Sequence, residues 1–422
     1  MKKITVTASS SSFEQLELVA PFGFKGGASS FLFNTAAFLQ SENAYGVGLG
    51  TEGILWSDAK VFFGAGNLAG SAMMYIMTDR AVRLLQGQTF SHPDEALDFL
   101  LPQIYEYGKA VTANPALRMT FALNSLVPVD FAVWQLYFKE NGLSSFDDII
   151  PASAAPTLSC RHGTLACIPL ISYGVSDGET LRLAESGTPL LKIKIGKEYD
   201  WDIERVKRIH ALVKDIANPY TESGHILYYL DANGRYESLD CIQRLLDALD
   251  RVGALGRVAL LEEPFAEGSG IDVSSIPLTF AADESAHSDK DVEEMASLGY
   301  KAVALKPIAK TLTMTFRMLE AARRHGMKAF CADLTVNPIM VDWNKNVAAR
   351  LSPIDGMKIG AIESNGPQNY VKWEEMLARH PLGDAEWIRE KNGVFRTGEG
   401  FFAESGGIFR DSAYYASLFG VG

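Results

Sequence analysis

Residues 189–206 read PLLKIKIGKEYDWDIERV, a short apolar run followed directly by a charged stretch with helical spacing. In a β-strand, residues i and i+2 point to the same side, so the aliphatic residues share one face while Lys192 and Lys194 share the other. Lysine is rarely buried without a partner. Two lysines on one face of a buried strand therefore predict water or a carboxylate close to the end of this strand.

The same alternation of a short β-rich run and an amphipathic helical stretch recurs through the second half of the chain. Near-continuous apolar strands that alternate with helices predict a parallel sheet covered on both faces. Eight such runs match a (β/α)8 (TIM) barrel of the α/β class; a doubly wound sheet is the alternative, but no Gly-rich phosphate turn follows the first run. The runs are residues 165–174, 189–196, 225–232, 257–264, 278–285, 301–307, 327–333 and 356–364.

The first part of the chain has a different pattern. Residues 4–50 alternate like β-strands with turn residues between the runs, and helical spacing begins at about Leu68. Pro128 lies inside the last helical stretch and predicts a kink or a break there. We therefore expect three parts, with the last packing back on the other two: an α+β capping domain over residues 1–155, a barrel over 156–366 and a C-terminal segment over 367–422.

The composition is that of an acidic chain with ample material for a core. Of its 422 residues, 47% are hydrophobic, and the formal net charge is -12. An acidic protein is not attracted to nucleic acid or to an anionic membrane surface, so neither is expected as a partner. The chain shows no apolar h-region near its start, no stretch approaching a membrane span and no metal spacing among its cysteines. These features predict a cytoplasmic protein with reduced thiols, and they leave open whether it forms a homo-oligomer.

Charged residues stand where the apolar runs of the predicted barrel stop. In a parallel barrel all strand C-termini lie on one face, so these residues are expected to converge. Asp231, Glu262 and Asp283 stand near the ends of three successive runs. This all-oxygen set suits Mg²⁺, with Mn²⁺ as the alternative. Lys194 and Lys306 flank them, and a lysine beside a cation and another ammonium has a lowered pKa and can act as a base. Together with a metal ion, such a site can remove a proton α to a carboxylate.

Five short motifs in this order together resemble the enolase superfamily, and more specifically its muconate-lactonizing subgroup. The motifs are KIK (192–194), DANGRY (231–236), EEPF (262–265), ADES (282–285) and LKP (305–307). Outside the barrel, YGVGLG (45–50) looks like the G-x-G turn of the family's capping domain, and VDFAVWQLYFKENG (129–142) resembles its helix before the barrel. The resemblance covers nearly the whole chain and implies a barrel with an N-terminal α+β cap. Sites of this superfamily combine a lysine or histidine base with Mg²⁺.

The resemblance also implies a role for each of these residues. Lys194 and Lys306 become acid/base catalysts on opposite faces of the substrate's α-carbon, through a metal-stabilised enediolate. Lys192 would steady the substrate carboxylate and help to lower the pKa of Lys194. The metal ligands that it implies are Asp231, Glu262 and Asp283. The residues that would orient the metal ligands or the lysines through hydrogen bonds are Asn233, Glu263 and Glu284.

The end of the eighth run bears on the substrate. Dipeptide epimerases of this family commonly carry D-x-D-G-P there, with both aspartates on the substrate's α-ammonium, whereas this chain has ESNGP at 363–367. Glu363 can still pair with an ammonium, but Asn365 better tolerates an N-acylated amino acid. The lysine pair fits a racemase or epimerase of an amino-acid derivative, with a dipeptide slightly favoured over an N-acylamino acid. Asp333 would either contact the substrate or cap the next element.

Other chemistry remains open, because the lysine pair sets only the first step. One lysine suffices for cycloisomerisation or for syn elimination of water, as in the o-succinylbenzoate synthases, where the other lysine would act electrostatically. For each of these enzymes the expected partner is a small-molecule carboxylate. A catalytically silent barrel that serves as a binding protein is a further alternative, against which the full set of carboxylates and lysines argues.

Two stretches of the capping domain, residues 21–30 and 51–56, are expected to reach over the barrel mouth, where they would exclude water and shape specificity. A solvated loop position is an equal alternative for Lys25. His287 follows the ADES motif and is predicted to be an exposed loop histidine. The candidates for contact with the distal part of the substrate are Phe22, Phe24, Lys25 and Trp56.

Overall fold

The capping unit is an antiparallel sheet packed against helices. The computed structural model describes residues 2–24 and 27–421 of the chain. The strands of this unit are β1 (Ile4–Thr5), β2 (Ala8–Phe24), β3 (Gly27–Gln40), β4 (Tyr45–Thr51) and β5 (Thr89–Phe90). Its helices are α1 (Ile54–Ser57), α2 (Ala59–Leu85), α3 (Pro93–Val111) and α4 (Met119–Asn141). β2, β3 and β4 form one antiparallel sheet, and β1 pairs with β5.

Helix α4 lies directly against the glycine-rich strand β4. A Cβ added at Gly48 would lie 2.0 Å from the carbonyl oxygen of Pro128 and 2.4 Å from the nitrogen of Ala132. The helix backbone can approach the strand this closely only because the strand presents no side chain there. The YGVGLG motif is therefore part of a strand, and its resemblance to a turn is wrong.

The predicted break at Pro128 is also wrong. Helix α4 runs through this proline, whose ring lies over β4 so that a Cβ on Gly50 would be 2.6 Å from Pro128 Cδ. Proline disfavours a helix interior because it removes one backbone donor. Here the close packing of α4 on β4 outweighs that local cost. A sequence pattern does not reveal this tertiary packing.

Replacing Gly48 with alanine is expected to lower the free energy of unfolding by about 3 kcal/mol or more, because the new methyl group would overlap helix backbone atoms that cannot rotate away. Urea or thermal unfolding measures the change. Gly64→Ala is the matched control, since nothing lies within 4 Å of an added Cβ there and alanine favours a helix. Equal stability of the two variants would contradict the close packing of α4 on β4.

Helix α2 begins earlier than the helical spacing of the sequence predicts. Its 27 residues are long and apolar enough to cross a membrane by length and composition, so the prediction that no stretch approaches that length is wrong. In the capping unit α2 packs against α3 and α4, burying Met74 and Met77. Its backbone is interrupted at Gly66, where φ is 81°. Packing inside the cap accounts for the buried apolar residues of this helix, whereas Phe63, Leu68 and Ile76 on the same helix are exposed.

The second part of the chain is a parallel (β/α)8 barrel, which confirms the predicted fold class. Neighbouring strands pair in parallel and in chain order. Its strands are β6 (Thr164–Ile168), β7 (Leu170–Ile171), β8 (Leu190–Lys194), β9 (Leu227–Asp231), β10 (Val258–Glu262), β11 (Phe280–Ala282), β12 (Ala302–Leu305), β13 (Lys328–Cys331) and β14 (Gly360–Glu363). Its helices are α5 (Asp177–Glu185), α6 (Tyr199–Val213), α7 (Leu239–Asp250), α8 (Asp289–Ser297), α9 (Pro307–Lys310), α10 (Leu312–Arg324) and α11 (Pro338–Ala348).

A proline interrupts the first barrel strand. β6 pairs with β14 and β7 pairs with β8, so the two halves of this strand together close the barrel. Pro169, between them, has no N–H to donate, but its carbonyl accepts a hydrogen bond from the Lys192 backbone nitrogen at 3.2 Å. Closure brings the C-terminal ends of the strands to one face.

The barrel encloses a small core of its own. Many of its inward residues are alanines, such as Ala281, Ala304 and Ala332. Small side chains leave room for Tyr229 and Phe330, whose rings meet edge to face with centroids 5.4 Å apart. The outward faces of the strands pack against the surrounding helices in a separate, larger cluster.

The C-terminal segment contacts both units. Its elements are α12 (Gly366–Asn369), α13 (Trp373–Ala378), β15 (Val394–Arg396), α14 (Glu399–Glu404) and α15 (Ala413–Ser417). β15 pairs antiparallel with barrel strand β6. Phe409 stacks on Phe138 of α4 with ring centroids 3.7 Å apart, and Phe419 stacks on Phe38 of β3 at 5.3 Å. The end of the chain thus completes the core of the cap.

Candidate active site

Polar residues at the ends of the barrel strands converge at the barrel mouth. Lys194 of β8 lies opposite Asp231 of β9, and Asp231 lies opposite Glu262 of β10. Strand ends and cap residues together enclose a cavity of about 80 Å³. The charged and amide residues that line it are Lys192, Lys194, Asp231, Asn233, Asp283, Glu284, Lys306, Asp333, Glu363 and Asn365.

Lys192 sits at the centre of a carboxylate cluster. Its Nζ lies 2.8 Å from Glu262 Oε2, 3.0 Å from Asp231 Oδ2 and 3.2 Å from Glu363 Oε2. Burial lowers the pKa of Lys192, but the charges of these three carboxylates outweigh it and raise the pKa well above its ordinary value. The buried lysine face of the KIK strand is therefore matched by acidic strand ends, as the sequence predicts.

Lys194 and Lys306 stand on opposite sides of the barrel mouth, because β9, β10 and β11 lie between their strands. Lys194 Nζ lies 2.5 Å from Asp231 Oδ2 and donates to Asn233 Oδ1 at 2.7 Å. Lys306 Nζ lies 2.6 Å from Asp283 Oδ2. Each ammonium thus has one carboxylate of the acidic set as its partner.

Carboxylates are the nearest charged groups to Lys306 in the structure. Burial lowers the pKa of this lysine, but the charges of Asp283 and Glu262 outweigh burial and raise the pKa above its ordinary value. The lowered pKa that the sequence predicts is for a lysine beside a bound cation, and it stays a prediction.

Asn233 and Glu263 support the acidic set from positions with left-handed backbone, φ 47° and 41°. Asn233 donates its backbone N–H to Asp231 Oδ1 at 3.1 Å and its side-chain amide to Glu284 Oε1, also at 3.1 Å. Glu263 Oε2 accepts from the backbone nitrogen of Asp283 at 2.8 Å. Burial, together with the charge of Glu284, raises the pKa of Glu263 to about 8. Strained backbone of this kind persists where surrounding contacts fix it.

The donor set fits a hard divalent cation. Asp231, Glu262 and Asp283 come from adjacent strands, are buried, and offer only oxygen ligands. Glu262 Oε1 is buried without a hydrogen-bond partner among the described residues, and burial with the charge of Asp231 raises the pKa of this carboxyl well above its ordinary value. Within residues 2–24 and 27–421, no three acidic, histidine or cysteine side chains already surround one cation position. In the structure the lysines pair with two of these carboxylates, Lys194 with Asp231 and Lys306 with Asp283.

The sequence of the barrel matches one family of known proteins. A family model described as enolase C-terminal domain-like matches residues 178–382, which include the ends of strands β8 to β14. The barrel belongs to the enolase superfamily. This confirms the resemblance seen in the sequence motifs.

Solved structures share the fold of the whole enolase-type chain. A mandelate racemase/muconate lactonizing protein from Herpetosiphon aurantiacus is 15% identical, with a TM-score of 0.64 over 93% of this chain and 95% of that one. A dipeptide epimerase from Enterococcus faecalis, complexed with Mg and the dipeptide L-Leu-L-Tyr, is 17% identical, with a TM-score of 0.62 over 88% and 92%. A muconate lactonizing enzyme from Pseudomonas fluorescens, complexed with muconolactone, is 17% identical, with a TM-score of 0.61 over 87% and 90%. Comparison with curated protein sequences finds no significant match.

Three predicted substrate contacts lie together at the ends of β13 and β14 of the enolase-type barrel. Glu363 accepts from the Asn365 side-chain amide at 2.9 Å and from the Asp333 backbone nitrogen at 3.2 Å, and it also pairs with Lys192. Asp333 Oδ2 accepts from the Asn365 backbone nitrogen at 2.6 Å. Asp333 Oδ1 and Asn365 Oδ1 are buried and have no hydrogen-bond partner among the described residues. Two buried oxygens on this side of the cavity therefore lack a partner among the described residues.

The stability of the protein is expected to depend on the titration of Asp333. Burial, helped by the charge of Glu363, raises its pKa from 3.8 to about 7. Between these values the unfolded carboxyl has lost its proton while the folded one keeps it, so stability falls as pH rises, by at most about 1.4 kcal/mol per pH unit. Asp333→Asn should lose less stability than the wild type between pH 4 and pH 8, measured by urea unfolding. Parallel curves for the two proteins, with exposed Asp355→Asn as the control, would exclude this titration.

Trp56 is the predicted cap contact that the structure describes fully. It lines the cavity, with its ring 4.6 Å from Lys306 Nζ. Lys25 lies outside the described residues, as do the side chains of Phe22 and Phe24. Other cap residues also line the cavity. Gly23 and Ser29 lie in the stretch 21–30, and Gly53, Ile54 and Leu55 lie in the stretch 51–56, both of which are predicted to lie over the barrel mouth. Leu18 and Leu32 lie outside these stretches and were not predicted. Their contact with the barrel depends on how the cap docks, which no local pattern encodes.

Two buried residues beside the acidic set were also missed. Lys310 is fully buried, and its Nζ donates to the Asp283 carbonyl oxygen at 2.8 Å and lies 3.4 Å from Asp283 Oδ1. Its position one helical turn after Lys306 was a usable signal, because i and i+4 share a helix face. Tyr229, two residues before Asp231 on β9, shares the inward face by the rule that explains the two lysines of KIK.

His287 is buried, so the prediction of an exposed loop histidine is wrong. Its Nε2 contacts Glu267, whose other oxygen lies 2.5 Å from Arg118 of the cap. Arg118 also donates to the backbone carbonyls of Glu284 at 2.8 Å and of Trp56 at 3.3 Å. This ion-pair network joins the cap to the barrel next to the cavity.

Proposed function

We propose that the protein abstracts the proton α to a carboxylate in a metal-dependent reaction, and that it is a racemase or epimerase of an amino-acid derivative. The observation that carries the proposal is the pair of buried lysines, Lys194 and Lys306, on opposite sides of one cavity. Two bases that face one another across a tetrahedral carbon can remove a proton from one face and return it to the other.

The other polar residues of the site would orient the two lysines and hold the metal ion. Asn233 and Asp231 orient the Nζ of Lys194, and Asp283 orients that of Lys306. Asp231, Glu262 and Asp283 would hold Mg²⁺, or Mn²⁺ as the alternative. When bound, the cation supplies positive charge for the substrate carboxylate and lowers the cost of removing the α-proton. The Mg-containing dipeptide epimerase of the same fold supports this choice of metal.

The side of the cavity with Asp333 and Asn365 supports a substrate with N–H donors. Asp333 Oδ1 and Asn365 Oδ1 lie there without hydrogen-bond partners among the described residues, and a buried acceptor left unpaired costs stability. A dipeptide or an N-acylamino acid can supply the missing donors. We place the dipeptide slightly ahead, because Asp333 brings a second carboxyl group beside Glu363 where Asn365 has replaced an aspartate.

A second candidate is a cycloisomerase or a syn-dehydratase, in which one lysine acts as the base and the other stabilises charge. The surroundings of Lys306 support this alternative, because the Trp56 ring, whose centroid lies 4.6 Å from Lys306 Nζ, favours a charged ammonium. The muconate lactonizing enzyme of the same fold supports it as well.

The deciding experiment incubates the protein with Mg²⁺ in D2O against pools of L-L dipeptides and N-acylamino acids. Mass spectrometry reads deuterium at the α-carbon, and chiral chromatography reads configuration. Uptake with inversion supports the epimerase and names its substrate class. No uptake from any pool moves the assignment to the second candidate. If, in addition, Mg²⁺ does not raise the melting temperature and Asp231→Ala leaves metal affinity unchanged, the barrel is a binding protein.

A further inference from the structure

Tyr229 lies inside the barrel beneath the acidic set. It precedes Asp231 by two residues on β9, so both side chains point to the interior face. Its ring is fully buried against Phe330. β9 is paired on both sides at this position, with Lys192 on β8 and Leu260 on β10 as its partners. The phenol hydroxyl is therefore held at a fixed place relative to the strand ends.

This hydroxyl holds one oxygen of Glu262. It donates a hydrogen bond to Glu262 Oε2, the same oxygen that Lys192 approaches to 2.8 Å. Glu262 Oε1 is the atom that has no hydrogen-bond partner among the described residues. A carboxylate with one oxygen engaged and the other unpartnered in a buried polar cluster is prepared to bind a ligand through the second oxygen.

The three carboxylates of the acidic set are held by groups of different charge. Asp231 and Asp283 are held by the ammonium groups of Lys194 and Lys306, which repel a cation. Glu262 alone has a hydrogen bond from a phenol, which carries no charge, in addition to its contact with Lys192. A phenol keeps its proton near neutral pH, so the hydroxyl stays a donor. Glu262 is thus oriented in part by a neutral group that does not compete with the metal.

We infer that Tyr229 is a positioning residue that fixes Glu262 in the orientation presenting Oε1 to the divalent cation. Its ring also lies 4.6 Å from Lys192 Nζ, so one side chain supports a ligand and the lysine next to it. The inference rests on the proposed function, because Glu262 is a metal ligand only under that proposal.

The test is the metal affinity of Tyr229→Phe, which keeps the ring and removes the hydroxyl. We expect its affinity for Mn²⁺ alone, followed by electron paramagnetic resonance, and for Mg²⁺ alone, followed by calorimetry, to fall about 10-fold or more. No substrate or turnover is needed. Tyr228→Phe is the matched control, because Tyr228 is also buried on β9 but its hydroxyl lies 2.8 Å from His210 Nδ1 on the helix side.

The possible outcomes distinguish failure of the inference about Tyr229 from failure of the proposed function. A selective loss of affinity in Tyr229→Phe, with a metal-free melting temperature close to that of the Tyr228→Phe control, supports the positioning role. Unchanged affinity in Tyr229→Phe overturns the inference while leaving the metal site intact. Equal losses in the two variants also overturn it, because the effect would then come from general loosening of β9. If the wild-type protein binds neither metal, the proposed function fails. The inference about Tyr229 then fails as well, because it rests on that function.

Discussion

Lys306→Ala is expected to abolish stereoinversion while exchange of the α-proton persists on the face served by Lys194. Loss of one acid/base group costs about 10³-fold in the step that it catalyses, within a range of 10²–10⁴. Because Lys194 and Lys306 lie on opposite sides of the cavity, each serves one face of the α-carbon only. Inversion needs both faces, whereas exchange with solvent needs one.

The measurement uses two enantiomers or epimers of the substrate that the D2O experiment identifies. Lys306→Ala should incorporate deuterium with retention into one of them and leave the other unlabelled, and Lys194→Ala should show the reverse preference. Lys301→Ala is the control, because this exposed lysine lies just before the opposite end of strand β12. Inversion at an unchanged rate in both single variants would end the two-base mechanism. Complete loss of exchange in Lys194→Ala alone, with exchange kept in Lys306→Ala for every substrate, would favour one base and an electrostatic Lys306.

Asp283→Ala is expected to cost about 3–5 kcal/mol in the free energy of unfolding, because it leaves two buried ammonium groups without their carboxylate. Lys306 is 4% exposed and Lys310 is fully buried, and both lie within 3.4 Å of the Asp283 side chain. Neither lysine can reach bulk water without a change in the barrel mouth. The same substitution removes a proposed metal ligand, so Mg²⁺ should no longer raise the melting temperature.

Urea unfolding of the metal-free protein measures the first effect separately from the second. The control is Asp355→Ala, which breaks an exposed aspartate–lysine pair with Lys328 and should change stability little. Adding Lys310→Met to Asp283→Ala should recover part of the lost stability, since it removes one of the two buried ammonium groups left without a carboxylate. If Asp283→Ala unfolds at the same urea concentration as the control, the lysines are not held by this carboxylate.

The strand-end residues could be predicted because two simple periodicities determine where they lie. A period of two directs Lys192 and Lys194 to one face, and a parallel barrel collects all strand C-termini at one mouth. These two rules are enough to predict that Asp231, Glu262 and Lys306 lie near one another. Other cavity-lining residues of the cap, such as Leu18 and Leu32, obey no such rule, because their contact with the barrel depends on tertiary docking.

The errors have the same physical origin. Gly48 and Pro128 look like turn and breaker signals in isolation, yet together they allow a strand and a helix to pack backbone to backbone. His287 looks like a loop residue until the ion-pair network that joins cap and barrel buries it.

The stacking of Phe419 on Phe38 and of Phe409 on Phe138 has a consequence for the order in which the chain folds. Phe38 and Phe138 gain these partners only after residues 409–419 have been made, so the cap core is incomplete until then. Strand β6 likewise pairs with β14 and β15 only after these strands have been made. Contacts of such long sequence separation slow folding, and during synthesis they cannot form until the C-terminal segment has left the ribosome. The strands and helices of the cap are therefore made well before the segment that completes their core, and a nascent chain exposes an incomplete cap in the interval.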